Sequence, residues 1–144
     1  MYRTNRKLTG ARGFTLIEIL VVVVIIAILA AVVVPNVISR IKDAKNSAAI
    51  SDIKSFETAI DQYKLDTGED PTSLDELINP PNPKGKWNGP YLKDLSKIPL
   101  DPWGHPYVYT VPGQNGRDYD IYSDGPDGQP NTSDDIQSWN LTGQ

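Results

Sequence analysis

From Phe14 to Val34 only Thr15 and Glu18 are not apolar, and Ile19 to Val34 holds no polar side chain at all. A helix of about 20 predominantly apolar residues crosses a bilayer, so this stretch reads as a membrane-spanning segment. Beyond Pro35 the pattern changes but keeps its helical period. Val37, Ile41, Ala44, Ala48, Ala49, Ile53, Phe56, Ile60 and Tyr63 mark one face in steps of three and four. Lys42, Asp43, Lys45, Asp52, Lys54, Asp61 and Lys64 occupy the others. Thr67-Gly68 supplies the stop. The spacing predicts one helix from Phe14 to Asp66, about 80 Å long at about 1.5 Å per residue. A soluble globule has no use for such a helix; a filament does. Pro35 removes one backbone hydrogen bond from it, which predicts a kink or a loosened turn.

Glu18 is the anomaly in this run. A charge at the centre of a membrane helix costs about 2.5–3.5 kcal/mol on insertion scales, so its presence marks a function. The net charge of −4 also hides a gradient. Arg3, Arg6, Lys7 and Arg12 precede the apolar run without an acid, whereas residues 101–144 set seven aspartates against Arg117 alone. A basic front and an acidic back orient the segment with its C-terminus outside the cytosol. No basic patch recurs, which argues against nucleic acid as a partner. Cysteine is absent, so neither a disulfide nor a thiolate metal site holds the C-terminal part together.

The rest of the chain reads as a small domain. Thr72 or Ser73 caps a short helix that ends at Asn79-Pro80-Pro81. Residues 80–106, rich in Pro and Gly, form a long loop whose Trp87, Tyr91 and Trp103 pin it to a sheet. Residues 107–111 and 118–123 read as strands joined by a turn over Gly113–Gly116, and 136–139 as a short third strand. Such a sheet is marginal by itself and needs the Ile53–Tyr63 stripe to complete a core. His105 sits in a turn without Cys or Ser partners and reads as structural; no glycine motif for phosphate occurs. Catalysis is not expected.

Residues 123–135, Ser-Asp-Gly-Pro-Asp-Gly-Gln-Pro-Asn-Thr-Ser-Asp-Asp, crowd carboxylates among turn formers. Calcium takes six to eight oxygens of mixed kind, and no His or Cys lies within the segment to favour zinc. The spacing is not that of an EF-hand. Composition leaves two readings open: an ion site, or a solvated hairpin whose aspartates cap turns.

Arg12-Gly13-Phe14-Thr15-Leu16-Ile17-Glu18 resembles the G-F-T-L-[IV]-E leader of the type IV pilin-like superfamily. An ordinary secretory signal differs, since its small-residue cleavage site follows the apolar stretch. An uncut signal anchor would leave Gly13 and Glu18 unexplained. Gly89-Pro90-Tyr91-Leu92 and Asp101-Pro102-Trp103-Gly104 narrow the resemblance to the major pseudopilins of type II secretion systems.

The resemblance implies an α+β, pilin-like fold. A long N-terminal helix, half membrane-spanning and half amphipathic, would pack on a small C-terminal antiparallel sheet with long loops. It implies three parts: leader 1–13, assembly helix 14–36 and periplasmic domain 37–144. A prepilin peptidase would cut between Gly13 and Phe14 and methylate the new amine of Phe14. That amine would lie about 6 Å along the helix axis from Glu18, whose carboxylate would pair with a neighbouring subunit's amine and set register. The acidic loop would bind calcium through the side chains of Asp127, Asp134 and Asp135 and the backbone carbonyl of Asp124, with Thr132 and Gln129 as weaker ligands. The chain would wait in the inner membrane, pass through an assembly platform, join minor pseudopilins and polymerise with itself into a periplasmic fibre that drives folded proteins outward. Two alternatives are a type IV pilin for adhesion, motility or DNA uptake, and an anchored calcium-binding module that does not polymerise.

Overall fold

The computed structural model describes residues 13–141, without the side chains of residues 32–36. The expected leader therefore lies outside the described residues except for Gly13, and so does the Pro35 ring. The chain divides into two units, residues up to Arg40 and residues from Ile41 onward.

In the first unit, helix α1 (Leu16–Thr67) begins, two residues later than the sequence predicts. Thr15 is its cap: the backbone N–H of Glu18 donates to Thr15 Oγ1 at 3.3 Å and to Thr15 O at 3.1 Å. Thr-x-x-Glu at a helix start has the form of a capping box, which places Glu18 in the first turn. Leu16, Ile17, Ile28, Leu29 and Ile38 are all exposed. Among the described residues no helix is long and apolar enough to cross a membrane; the continuous run to Val34 enters the stretch whose side chains are not described. The α1 assignment continues through Pro35 without a break.

In the second unit, α1 contributes Ala49, Ile53, Phe56, Ala59, Ile60 and Tyr63 to the core. The expected apolar face is thus buried only from Ala49 onward. Ile41, Ala44 and Ala48 are exposed, because the small sheet does not extend along the helix to cover them. Three antiparallel strands follow in order: β1 (Val108–Thr110), β2 (Asp120–Ser123) and β3 (Ile136–Gln137). Tyr109 pairs with Ile121 and Ser123 with Ile136. Ile121 and Ile136 point into the core, and alternation turns Tyr122 the other way. The third strand is shorter than predicted, since Ser138–Asn140 closes as a 3₁₀ turn. The short helix is also a single 3₁₀ turn, Leu74–Leu77. Ser73 makes no side-chain cap there; Thr72 Oγ1 instead donates to Glu76.

The aromatic loop is held differently from expectation. Trp87 Nε1 donates to the carbonyl of Glu76 at 2.7 Å, and Tyr91 packs edge-on against Tyr63 and Trp87. Its anchors are therefore the 3₁₀ turn and α1 rather than the sheet. Two ion pairs tie the β1–β2 connection to the helix, Arg117 to Glu57 and Lys64 to Asp118. The Lys64 hydrogen bond holds the Asp118 carboxyl below its ordinary range, yet a pair this exposed adds little to stability.

Phe56 sits at the centre of the core with its ring edge-on to Tyr107, centroids 5.0 Å apart. Phe56→Ala is expected to cost about 3–5 kcal/mol through lost burial and the cavity left behind. A lowered urea midpoint for the full chain in detergent checks this.

Candidate functional site: the processing junction and the acidic loop

Two places carry the sequence-predicted residues. The first is the start of α1. Gly13 and Phe14 precede the helix, so the peptide bond between them is not committed to helical hydrogen bonding. A Cβ at Gly13 would meet nothing within 4 Å, and Phe14 is largely exposed. Glu18 lies exposed one turn further on.

The second is the loop that leaves β2 at Ser123 and returns at Ile136; their pairing closes its ends. A 3₁₀ turn, Gly125–Asp127, opens the loop and Gly128 follows in the left-handed region at φ 64°. Asp127 Oδ1 accepts the N–H of Gln129 at 2.9 Å, an Asx turn that fixes its carboxylate. Asp135 Oδ2 accepts the N–H of Asn131 at 2.9 Å.

These turns bring oxygens together around the hydroxyl of Thr132. Its Oγ1 lies 2.8 Å from Asp134 Oδ1, 3.1 Å from Asp135 Oδ1, 3.2 Å from the Gln129 carbonyl and 3.5 Å from Asp127 Oδ1. A hydroxyl has one proton to give, and all four neighbours are acceptors. Three of the four contacts are thus left without a hydrogen. A hard cation satisfies such a set of mixed oxygens directly. Among the described residues no group of three or more His, Cys, Asp or Glu is itself close enough to hold a metal ion. The oxygens converge instead on the Thr132 hydroxyl, with the Gln129 carbonyl among them.

Asp124 stands apart from this hub. Its Oδ1 is buried and has no hydrogen-bond partner among the described residues. Burial first, and the nearby Asp135 carboxylate second, push its carboxyl above the ordinary range. That is what desolvation of a carboxylate does, with a neighbouring acid adding to it. A Cβ on Gly125 (φ 65°) would strike the carbonyl of Asp134, so the two halves of the loop meet at that glycine.

Sequence reasoning missed the support beneath the loop. Asp101, buried, accepts the N–H groups of Trp103 and His105 and the hydroxyl of Ser123. An Asp that opens a Pro-Trp-Gly turn is a signal for such bonding, since aspartate commonly accepts the N–H two residues on. Its link to Ser123 is a contact across the fold.

A long N-terminal helix packed on a small three-stranded antiparallel sheet defines the class: a pilin-like fold. The profile of the family Type II secretion system (T2SS), protein G matches residues 36–139, and that of the prokaryotic N-terminal methylation motif matches residues 8–34. The chain belongs to the type II secretion system protein G family. It is 46% identical over 136 residues to the type II secretion system core protein G of Aeromonas hydrophila, covering 90% of this chain and 92% of the relative. Against the core protein G of Pseudomonas aeruginosa the identity is 50% over 138 residues, 88% of this chain and 94% of the relative. The crystal structure of the major pseudopilin from enterohaemorrhagic Escherichia coli superposes with a TM-score of 0.60 at 38% identity. The match covers 76% of this chain and 98% of that one.

Proposed function

We propose that the chain is the structural subunit of the type II secretion pseudopilus, cut before Phe14, methylated there, and polymerised in the periplasm to move folded proteins across the outer membrane. The exposed apolar surface of α1 carries this reading. Leu16 is 85% exposed, Leu29 62% and Ile38 63%, far beyond what a finished monomer leaves to water. Lipid covers that surface while subunits wait in the inner membrane; neighbouring helices cover it in the fibre. In the second unit Ile41, Ala44 and Ala48 are exposed as well.

Calcium belongs to the same proposal. Asp127, Asp134, Asp135, Thr132 and the carbonyl of Gln129 would hold it, with the carbonyl of Asp124 completing the approach from the first half of the loop. When bound, the ion supplies positive charge and oxygen coordination that gather the loop, in a chain that has no cysteine to clasp it. Partners on this reading are further copies of the chain, minor pseudopilins, the prepilin peptidase and the inner-membrane assembly platform.

Deleting the gene tests the assignment. Exported proteins are expected to accumulate in the periplasm and to be released again on complementation. Normal export, with a loss of twitching or DNA uptake instead, would make the chain a type IV pilin.

A further inference from the structure

We propose that His105 is the template on which the acidic loop takes its ion-binding shape. This positioning role rests on the calcium reading above. The imidazole Nδ1 lies 3.1 Å from the carbonyl oxygen of Gly125. A carbonyl can only accept, so Nδ1 carries the proton and donates it. The far edge of the ring rests on Gly128, where a Cβ would fall 2.9 Å from both Cε1 and Nε2. One side chain therefore holds both ends of the turn that bears Asp127.

His105 is itself held. Its backbone N–H donates to Asp101 Oδ1 at 2.8 Å. The other Asp101 oxygen takes the Ser123 hydroxyl, and Ser123 Oγ accepts the N–H of Gly125 at 3.1 Å. Gly125 is consequently gripped at its N–H by Ser123 and at its carbonyl by His105, both tied to one buried carboxylate. On its other side Gly125 abuts the carbonyl of Asp134. The grip thus presses the half of the loop bearing Asp127 against the half bearing Asp134 and Asp135. Without it the first half is free to withdraw from the Thr132 hub, and calcium must then order the loop as well as bind it.

Groups that orient ligands from behind typically change metal affinity about 10–100-fold when removed. Calcium titration by calorimetry, on the full chain in detergent, is expected to show about tenfold weaker binding for His105→Ala. His105→Asn places an amide N–H where Nδ1–H stood and is expected to recover most of that loss. The thermal midpoint in chelator is expected to stay near that of the wild type, while the upward shift caused by calcium shrinks. Equal calcium affinity in His105→Ala and wild type overturns the inference and leaves the ion site standing. So does an equal fall of the midpoint with and without calcium, which a merely structural role produces. Absence of calcium binding by the wild type removes the ion site and this inference together. Gly128→Ala, which forces a Cβ against the ring, is a second variant expected to weaken calcium should His105→Ala fail to fold; unchanged affinity there also overturns the inference.

Discussion

Replacing Glu18 with Ala is expected to leave the chain inserted in the membrane and to abolish its fibres, read by membrane fractionation and by electron microscopy of sheared pseudopili. Insertion should survive because removing a charge from an apolar helix lowers the cost of burial. On the proposed register role, assembly should fail because the variant could no longer offer a carboxylate to the Phe14 amine of a neighbouring subunit. In a low-dielectric setting such pairing overcomes desolvation only with good geometry, which makes it a sensor of register. A rival account is local, since Thr15 and Glu18 form the helix start. A cap is worth about 1 kcal/mol, and the bond recorded here runs from the backbone N–H of residue 18 to Thr15 Oγ1. It survives substitution of the Glu18 side chain. Glu18→Gln separates the two further, keeping a capping-box residue while removing the charge. Normal fibres from Glu18→Ala would end the register hypothesis.

Chelating calcium is expected to open residues 123–136 to protease, with Asp127→Ala producing the same cuts even when calcium is present. An ion that binds only the folded loop stabilises it by mass action, about 2.7 kcal/mol when its concentration is 100 times the Kd. Asp127 also accepts the N–H of Gln129, so its loss unties a turn as well as a ligand. Asp127→Asn keeps that acceptor and loses the charge, and so reports on the ion alone. Identical digestion patterns of the wild type with and without chelator would refute a structural calcium.

Much of the fold was legible along the chain. The period of apolar residues marked α1 to within two residues at its start and one at its end. Alternation over residues 118–123 marked β2, which the structure shortens to Asp120–Ser123, and the stretch Gly13–Glu18 carries the motif of the N-terminal methylation family model. Errors fell where an element's type depends on its partners. Ser138–Asn140 became a turn because β3 pairs through Ile136 and Gln137. Trp87 and Tyr91 found the 3₁₀ turn and α1 rather than the sheet. Only the resemblance singled out Asp127, Asp134 and Asp135 as expected ligands; composition left an ion site and a solvated hairpin equally open. Composition could not show that Asp127, Gln129, Asp134 and Asp135 oxygens meet at Thr132, since that depends on the folded loop.

The sequence by itself therefore determined the long helix, its greasy and amphipathic halves, and the G-F-T-L-I-E motif at its head. All three are written in residues close together along the chain, where period and adjacency suffice. Tertiary structure alone decided that the core begins at Ala49, that four acceptor oxygens surround Thr132, and that Asp101, Ser123 and His105 brace the loop. The brace joins residues 20 and 22 positions apart, His105 to Gly125 and Asp101 to Ser123, and the start of the core depends on what packs against α1. The Thr132 oxygens lie close along the chain, between Asp127 and Asp135, but meet only through the turns of the folded loop, which composition does not specify.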